Sequence, residues 1–164
     1  SNWTTQRIEE ANKFAEENGM EPIRISQINY SLAHSSVETF GDNTLVCMDT
    51  KEFRWYKKHD FPVMAFSPQA KDFFAKLAKG DAANNLPEGQ YAGRANLARL
   101  AKVKQLSEQT GDTPAKITLG YLNSQPFFVS SVFAVTKLWQ LDEDMEAQDL
   151  TYDPKTVAFL ENMI

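Results

Sequence analysis

The chain carries two histidines and one cysteine, the residue types that most often hold metals or act as nucleophiles. His34 stands in the polar turn "AHSS", His59 closes the charged run "RWYKKHD", and Cys47 lies alone in "LVCMD". Zinc sites need three or four ligands at recognised spacings. Nucleophilic catalysis needs a base and an orienting acid within reach of one another. Neither histidine has an acid or cysteine partner at such spacing, so both read as structural or surface residues. No P-loop is present, and no G-x-G-x-x-G follows a strand. Gln27 is different: it falls in the middle of a strand candidate, on a face shared with Ile25, where an amide requires hydrogen-bond partners.

Positioning any such group falls to ordinary globular architecture. The chain has 164 residues, 42% hydrophobic and 24% charged, which suits one domain with a real core. A net charge of −5 provides no global basic field for nucleic acid or anionic lipid. A single cysteine forms no internal disulfide and points to a reducing compartment. No apolar run is long enough to span a bilayer, and no signal-peptide pattern opens the chain. The expected setting is cytoplasmic, without nucleic-acid or membrane partners. "KDFFAKLAK" is basic and amphipathic, but so short a stretch reads as a helix with one buried face.

The opening "SNWTTQRIEEANKFAEENG" predicts a helix capped by Thr4 or Thr5. Ile8, Ala11 and Ala15 repeat at helical spacing, and Gly19 is the stop. Ile23 to Tyr30 predicts a strand with apolar groups on both faces, as in a covered parallel sheet. "DTKEFRWYKKHD" reads as a helix capped by Asp49 or Thr50, and "FPVMAFSP" as a short apolar strand. The stretch from Gly80 to Gly93 reads as a long loop of the kind that often serves function. "NLARLAKVKQLSEQTG" is the clearest helix, with Leu97, Leu100, Val103 and Leu106 on one stripe. Thr113 and Pro114 open the next helix. "PFFVSSVFAVT" predicts a buried strand, and Leu138, Leu141 and Met145 a helical stripe. Asp153 and Pro154 open a last helix. Alternating strands and amphipathic helices indicate α/β units on a parallel sheet. So few strands leave an edge exposed.

Four segments in this order, "SNWTTQRIEEAN", "ISQINYSLAH", "PVMAFSPQAKDFF" and "TKLWQLDEDM", resemble the C-terminal half of aldo-keto reductases. The resemblance covers essentially the whole chain. It implies an α/β fold, the C-terminal half of a (β/α)8 TIM barrel with parallel strands and an extra C-terminal helix. Residues 1–164 would then form a single partial domain. The missing partner would be the N-terminal half of the barrel, through most of its fifth strand.

The resemblance also implies a cofactor, NADP or NAD, and a small-molecule carbonyl substrate. In such a barrel the site lies at the C-terminal ends of the strands. Ser1 and Asn2 resemble the pair that binds the nicotinamide carboxamide, and Gln27 a further contact to it. Without the resemblance, Ser1 and Asn2 read as a polar strand end and Gln27 as an amide satisfied by backbone. Phe66 resembles the ring stacked on the nicotinamide; alone it reads as core. Ser67, Gln69 and Lys71 resemble the pyrophosphate loop, where a hydroxyl, N–H groups and a cation suit phosphate oxygens. Thr136 and Lys137 open a helix whose dipole and free N–H groups favour phosphate. Gln140 and Glu143 resemble residues facing the adenosine, and Asp144 stands where the family has asparagine; the bland reading of Glu143 and Asp144 is a solvated acidic helix face. Ala134, Val135 and Asp144 depart from the family pattern, and a carboxylate at 144 is expected to repel a 2′-phosphate.

The family's Asp-Tyr-Lys-His tetrad cannot be carried onto this chain. The expectation is a reductase portion that contributes cofactor binding and is inactive alone. A non-catalytic nucleotide-binding or interaction module on a half-barrel, self-associating through its sheet edge, is the alternative. A barrel enzyme acting on phosphorylated substrates is a third reading.

Overall fold

Several helices begin where a side chain can take up free N–H groups. In the computed structural model, which describes residues 1–81 and 91–161, Thr4 accepts from the Arg7 N–H and starts α1 (Thr5–Glu17). Gly19 then turns with φ 64°. The Asn12 amide grips the backbone of Ile23 from both sides, at 2.7 and 3.1 Å. Ile23 is thereby withdrawn from the sheet, and β1 spans only Ser26–Asn29, the middle of the expected strand. Ser36 caps the short α2 (Val37–Phe40), which carries too few residues to show a period. Asp49 accepts from the Glu52 N–H and starts α3 (Thr50–His59). β2 (Val63–Phe66) leads to α4 (Phe73–Ala78). Within the loop expected from Gly80 to Gly93, residues 82–90 lie outside the described residues.

After that loop come α5 (Arg94–Thr110) and α6 (Pro114–Asn123), the latter with Thr113 as cap and Pro114 in its first turn. β3 (Val129–Val132), α7 (Leu138–Met145) and α8 (Pro154–Glu161) complete the described chain. The strands form one parallel sheet in the order β1-β2-β3. Parallel neighbours need a crossover, and here helices supply it.

Register and period 2 divide the sheet cleanly. Ser26 and Ile28, Val63 and Ala65, and Val129 and Ser131 share one face. Ile28, Val63 and Ala65 are fully buried against a cluster that includes Tyr56, Val103, Ile117 and Leu122. Burying side chains of this size contributes roughly 1.5–3 kcal/mol each. The opposite face carries Gln27, Met64 and Ser130 in one row and Asn29, Phe66 and Val132 in the next.

Three apolar expectations are corrected. β3 is half-buried at best, because helices cover only one of its faces and no strand flanks its outer edge among the described residues. Leu97 turns outward, and α5 instead buries Asn96, Lys102, Val103 and Leu106. Leu138, Leu141 and Met145 are all exposed, with Leu138 at 81%.

Candidate functional site

The strand ends gather several of the expected site residues on the uncovered face. Asn2 donates its backbone N–H to the Gln27 carbonyl at 2.8 Å, so the start of the chain flanks β1. Its φ of 55° is one that asparagine tolerates. The Asn2 side-chain oxygen accepts from the Val46 N–H. Gln27 is half-buried, and its side chain makes no hydrogen bond among the described residues. Phe66 shares that face on the neighbouring strand, two positions beyond Gln27's partner Met64. Its ring belongs neither to the core cluster nor to any ring pair among the described residues. Ser1 lines a separate cavity at the sheet edge with Trp3, Ile8 and Ile23.

Asn29 is a residue that sequence reasoning passed over. It is 1% exposed, donates to the Phe66 carbonyl at 3.3 Å and accepts from Ser35 at 2.6 Å. It therefore ties the ends of β1 and β2 together behind Gln27 and Phe66. Its position two residues after Gln27, on the same face, was the available signal.

β2 runs directly into a strained turn. Ser67, Ala70, Lys71 and Asp72 all have left-handed φ values, between 50° and 62°. Crowding between Cβ and backbone makes that conformation costly outside glycine, and such strain concentrates at functional sites. Successive N–H groups in turns of this kind form anion-binding concavities. A cavity of about 270 Å³ lies between this turn and the segment after β3, lined by Ser67, Gln69, Lys71, Val132 and Ala134. Lys71 is exposed, and its ammonium has no partner among the described residues. Gln69 is buried and donates to the Asp144 carboxylate at 2.6 Å.

The start of α7 is already capped from within. Gln140 accepts from the N–H groups of Thr136 and Lys137 and from the Thr136 hydroxyl, at 3.0 to 3.1 Å. A phosphate at this helix start would displace that side chain. Thr136 and Lys137 are exposed, and Glu143 is half-buried. Asp144 is 5% exposed, so it is not part of a solvated acidic face. Burial pushes its carboxyl up, Gln69 pulls it back, and Asp72 and Glu143 push it further up.

His34 and His59 are exposed. All five tyrosines are in the core cluster or packed against it, and Tyr30 and Tyr121 line a cavity with Asn29 at the end of β1. Among the described residues no three His, Cys, Asp or Glu side chains gather as a metal site, and no helix is long and apolar enough to cross a membrane.

Comparison with known proteins bears on this arrangement directly. The model of the aldo/keto reductase family matches residues 1–164. Among solved structures, a thermostable aldo-keto reductase crystallised with the inhibitor epalrestat superposes with a TM-score of 0.63 at 16% identity. The match covers 100% of this chain and 47% of that one, so the chain spans about half the length of the solved protein. The parallel sheet with its covering helices is the fold of half a barrel of that type.

Proposed function

The chain belongs to the aldo/keto reductase family, and we propose that its strand-end face holds NADPH or NADH in an oxidoreductase that reduces aldehydes or ketones. The observation that carries the reading is the convergence of Asn2, Gln27 and Phe66 on one uncovered face, beside a turn and cavity suited to phosphate. The free Gln27 amide offers a donor and an acceptor, which a carboxamide needs. The Phe66 ring is open on the same face for stacking. Ser67, Lys71 and the left-handed turn suit a pyrophosphate, and Thr136 with Lys137 a terminal phosphate once Gln140 yields. The bound dinucleotide would supply hydride. The residues of this chain bind and orient it, and exclude water from one side of it.

Every tyrosine of this chain is in the core cluster or packed against it. On this reading the proton donor comes from outside these 164 residues, which alone are expected to be inactive on carbonyls. The same observation favours the second reading, a non-catalytic nucleotide-binding module. The cytoplasm is the proposed location, consistent with a lone, buried Cys47 thiol.

Titration with NADPH and NADH, followed by the fluorescence of Trp3 and Trp139, tests the binding claim. Saturable quenching is expected, weakened about 2- to 10-fold in Phe66→Ala, the worth of one stacked ring. Absence of binding by either dinucleotide to the intact protein would sink the proposal. Binding without turnover of any aldehyde by the intact protein would favour the non-catalytic module.

A further inference from the structure

Two segments suited to phosphate, the turn after β2 and the start of α7, are joined by one buried hydrogen bond. Gln69 Nε2 donates to Asp144 Oδ1 at 2.6 Å across 75 positions of sequence. Gln69 is 8% exposed and Asp144 5%. In α7 Asp144 is the only buried residue, while Leu138, Trp139, Leu141 and Met145 all face outward. The side chain that the helix buries is thus a carboxylate rather than an apolar one, while Lys79 lies over the exposed Trp139 ring and Lys116 pairs with Glu146 just past the helix end. On the other side, Gln69 sits inside the left-handed turn, between Ser67 and Ala70. That turn is also held locally: Ala70 N–H donates to the Ser67 carbonyl at 2.9 Å, Phe73 N–H to the Ala70 carbonyl at 3.2 Å, Lys76 reaches the Lys71 carbonyl at 2.9 Å, and Ala70 is fully buried in the core, but none of these contacts reaches α7.

We propose that Gln69 and Asp144 are a positioning pair that fixes the strained turn relative to α7, and so sets the spacing of the two phosphate-holding segments and the affinity for the dinucleotide. The affinity clause rests on the cofactor reading above; the coupling itself does not. A buried hydrogen bond to a charged acceptor is strong, and removing one partner leaves the other unsatisfied. Losing either side chain should therefore release both segments together. Asparagine at 144 keeps an acceptor oxygen in place and should preserve the coupling. The pair acts through the segments it holds and need not touch the ligand.

The test is amide hydrogen exchange of the protein without cofactor, with dinucleotide titration alongside. Asp144→Ala and Gln69→Ala should each raise exchange about 10-fold in residues 67–72 and 138–145 together. The double variant should be no faster than either single variant, since both remove the same contact. Dinucleotide affinity should fall about 10-fold in all three. Asp144→Asn should stay within about 2-fold of the parent in both readouts, which separates loss of the bond from general unfolding. Faster exchange confined to one segment, or additive effects in the double variant, would overturn the coupling. Coupled exchange with unchanged affinity would overturn the link to the cofactor. Coupled exchange in a parent protein that binds neither dinucleotide would overturn the cofactor reading while leaving the mechanical pair standing.

Discussion

Tyr56 shows how a single buried hydroxyl links the fold to pH. The side chain is fully buried and donates to Ser26 at 2.9 Å. Burial pushes its phenol from the ordinary 10 up to about 12, with Ser26 opposing the rise and Glu52 adding to it. Because the folded value is raised, the unfolded chain releases this proton first. The stabilisation is whole below about pH 10 and is lost as pH climbs through about 12. Burial is also the leading cause of the upward shifts at Tyr30, Tyr121 and Tyr152. Circular dichroism should show unfolding that sets in over that alkaline window. Tyr56→Phe should make the pH dependence shallower, at a cost of about 0.5–1.5 kcal/mol near neutrality for the lost hydrogen bond. An unchanged alkaline profile in the Phe variant would refute the linkage.

At the scale of elements, contacts from a second element often do what caps do locally. Glu52 of α3 is 4% exposed and accepts from the N–H and hydroxyl of Thr5, the first residue of α1. Glu52→Ala leaves a buried N–H without a partner and should lower stability by about 1–3 kcal/mol in chemical denaturation. Glu52→Gln retains an acceptor and should lose much less. Gly120 is the opposite case, a place without room. A Cβ there would meet Leu150 and Tyr152 at 2.9 Å. Gly120→Ala should therefore destabilise α6 packing by about 1–3 kcal/mol, even though alanine favours helix. A rise in melting temperature would show that the strap of residues 150–152 simply moves aside.

These elements also mark how far sequence reading reaches. Caps at Thr4, Asp49, Thr113 and Asp153 were legible because each is a bond between near neighbours. The stripe of α7 was not, since Leu138 and Met145 have helical spacing whether or not anything covers them. The same holds for β3 and Leu97. Within the candidate site, residue types at strand ends were legible from their order. The bond between Gln69 and Asp144 was not, because no periodicity connects positions so far apart.

On the scale of the whole molecule, stability is unevenly spread. One sheet face and its helices hold the core, whereas α7 buries a single residue. Local opening follows the density of buried contacts. Native-state hydrogen exchange should find the slowest amides in β2 and α6. The segment from 133 to 145 should exchange faster by orders of magnitude. Uniform protection across both regions would contradict this picture.

The level finish of the strands has a consequence for ancestry. Asn29, Phe66 and Val132 lie in one register row, so every connection departs from a common plane. A connection can be lengthened, shortened or replaced in evolution without disturbing the pairing beneath it. New binding preferences could arise by exchanging the upper segments while the stacked strands are inherited unchanged.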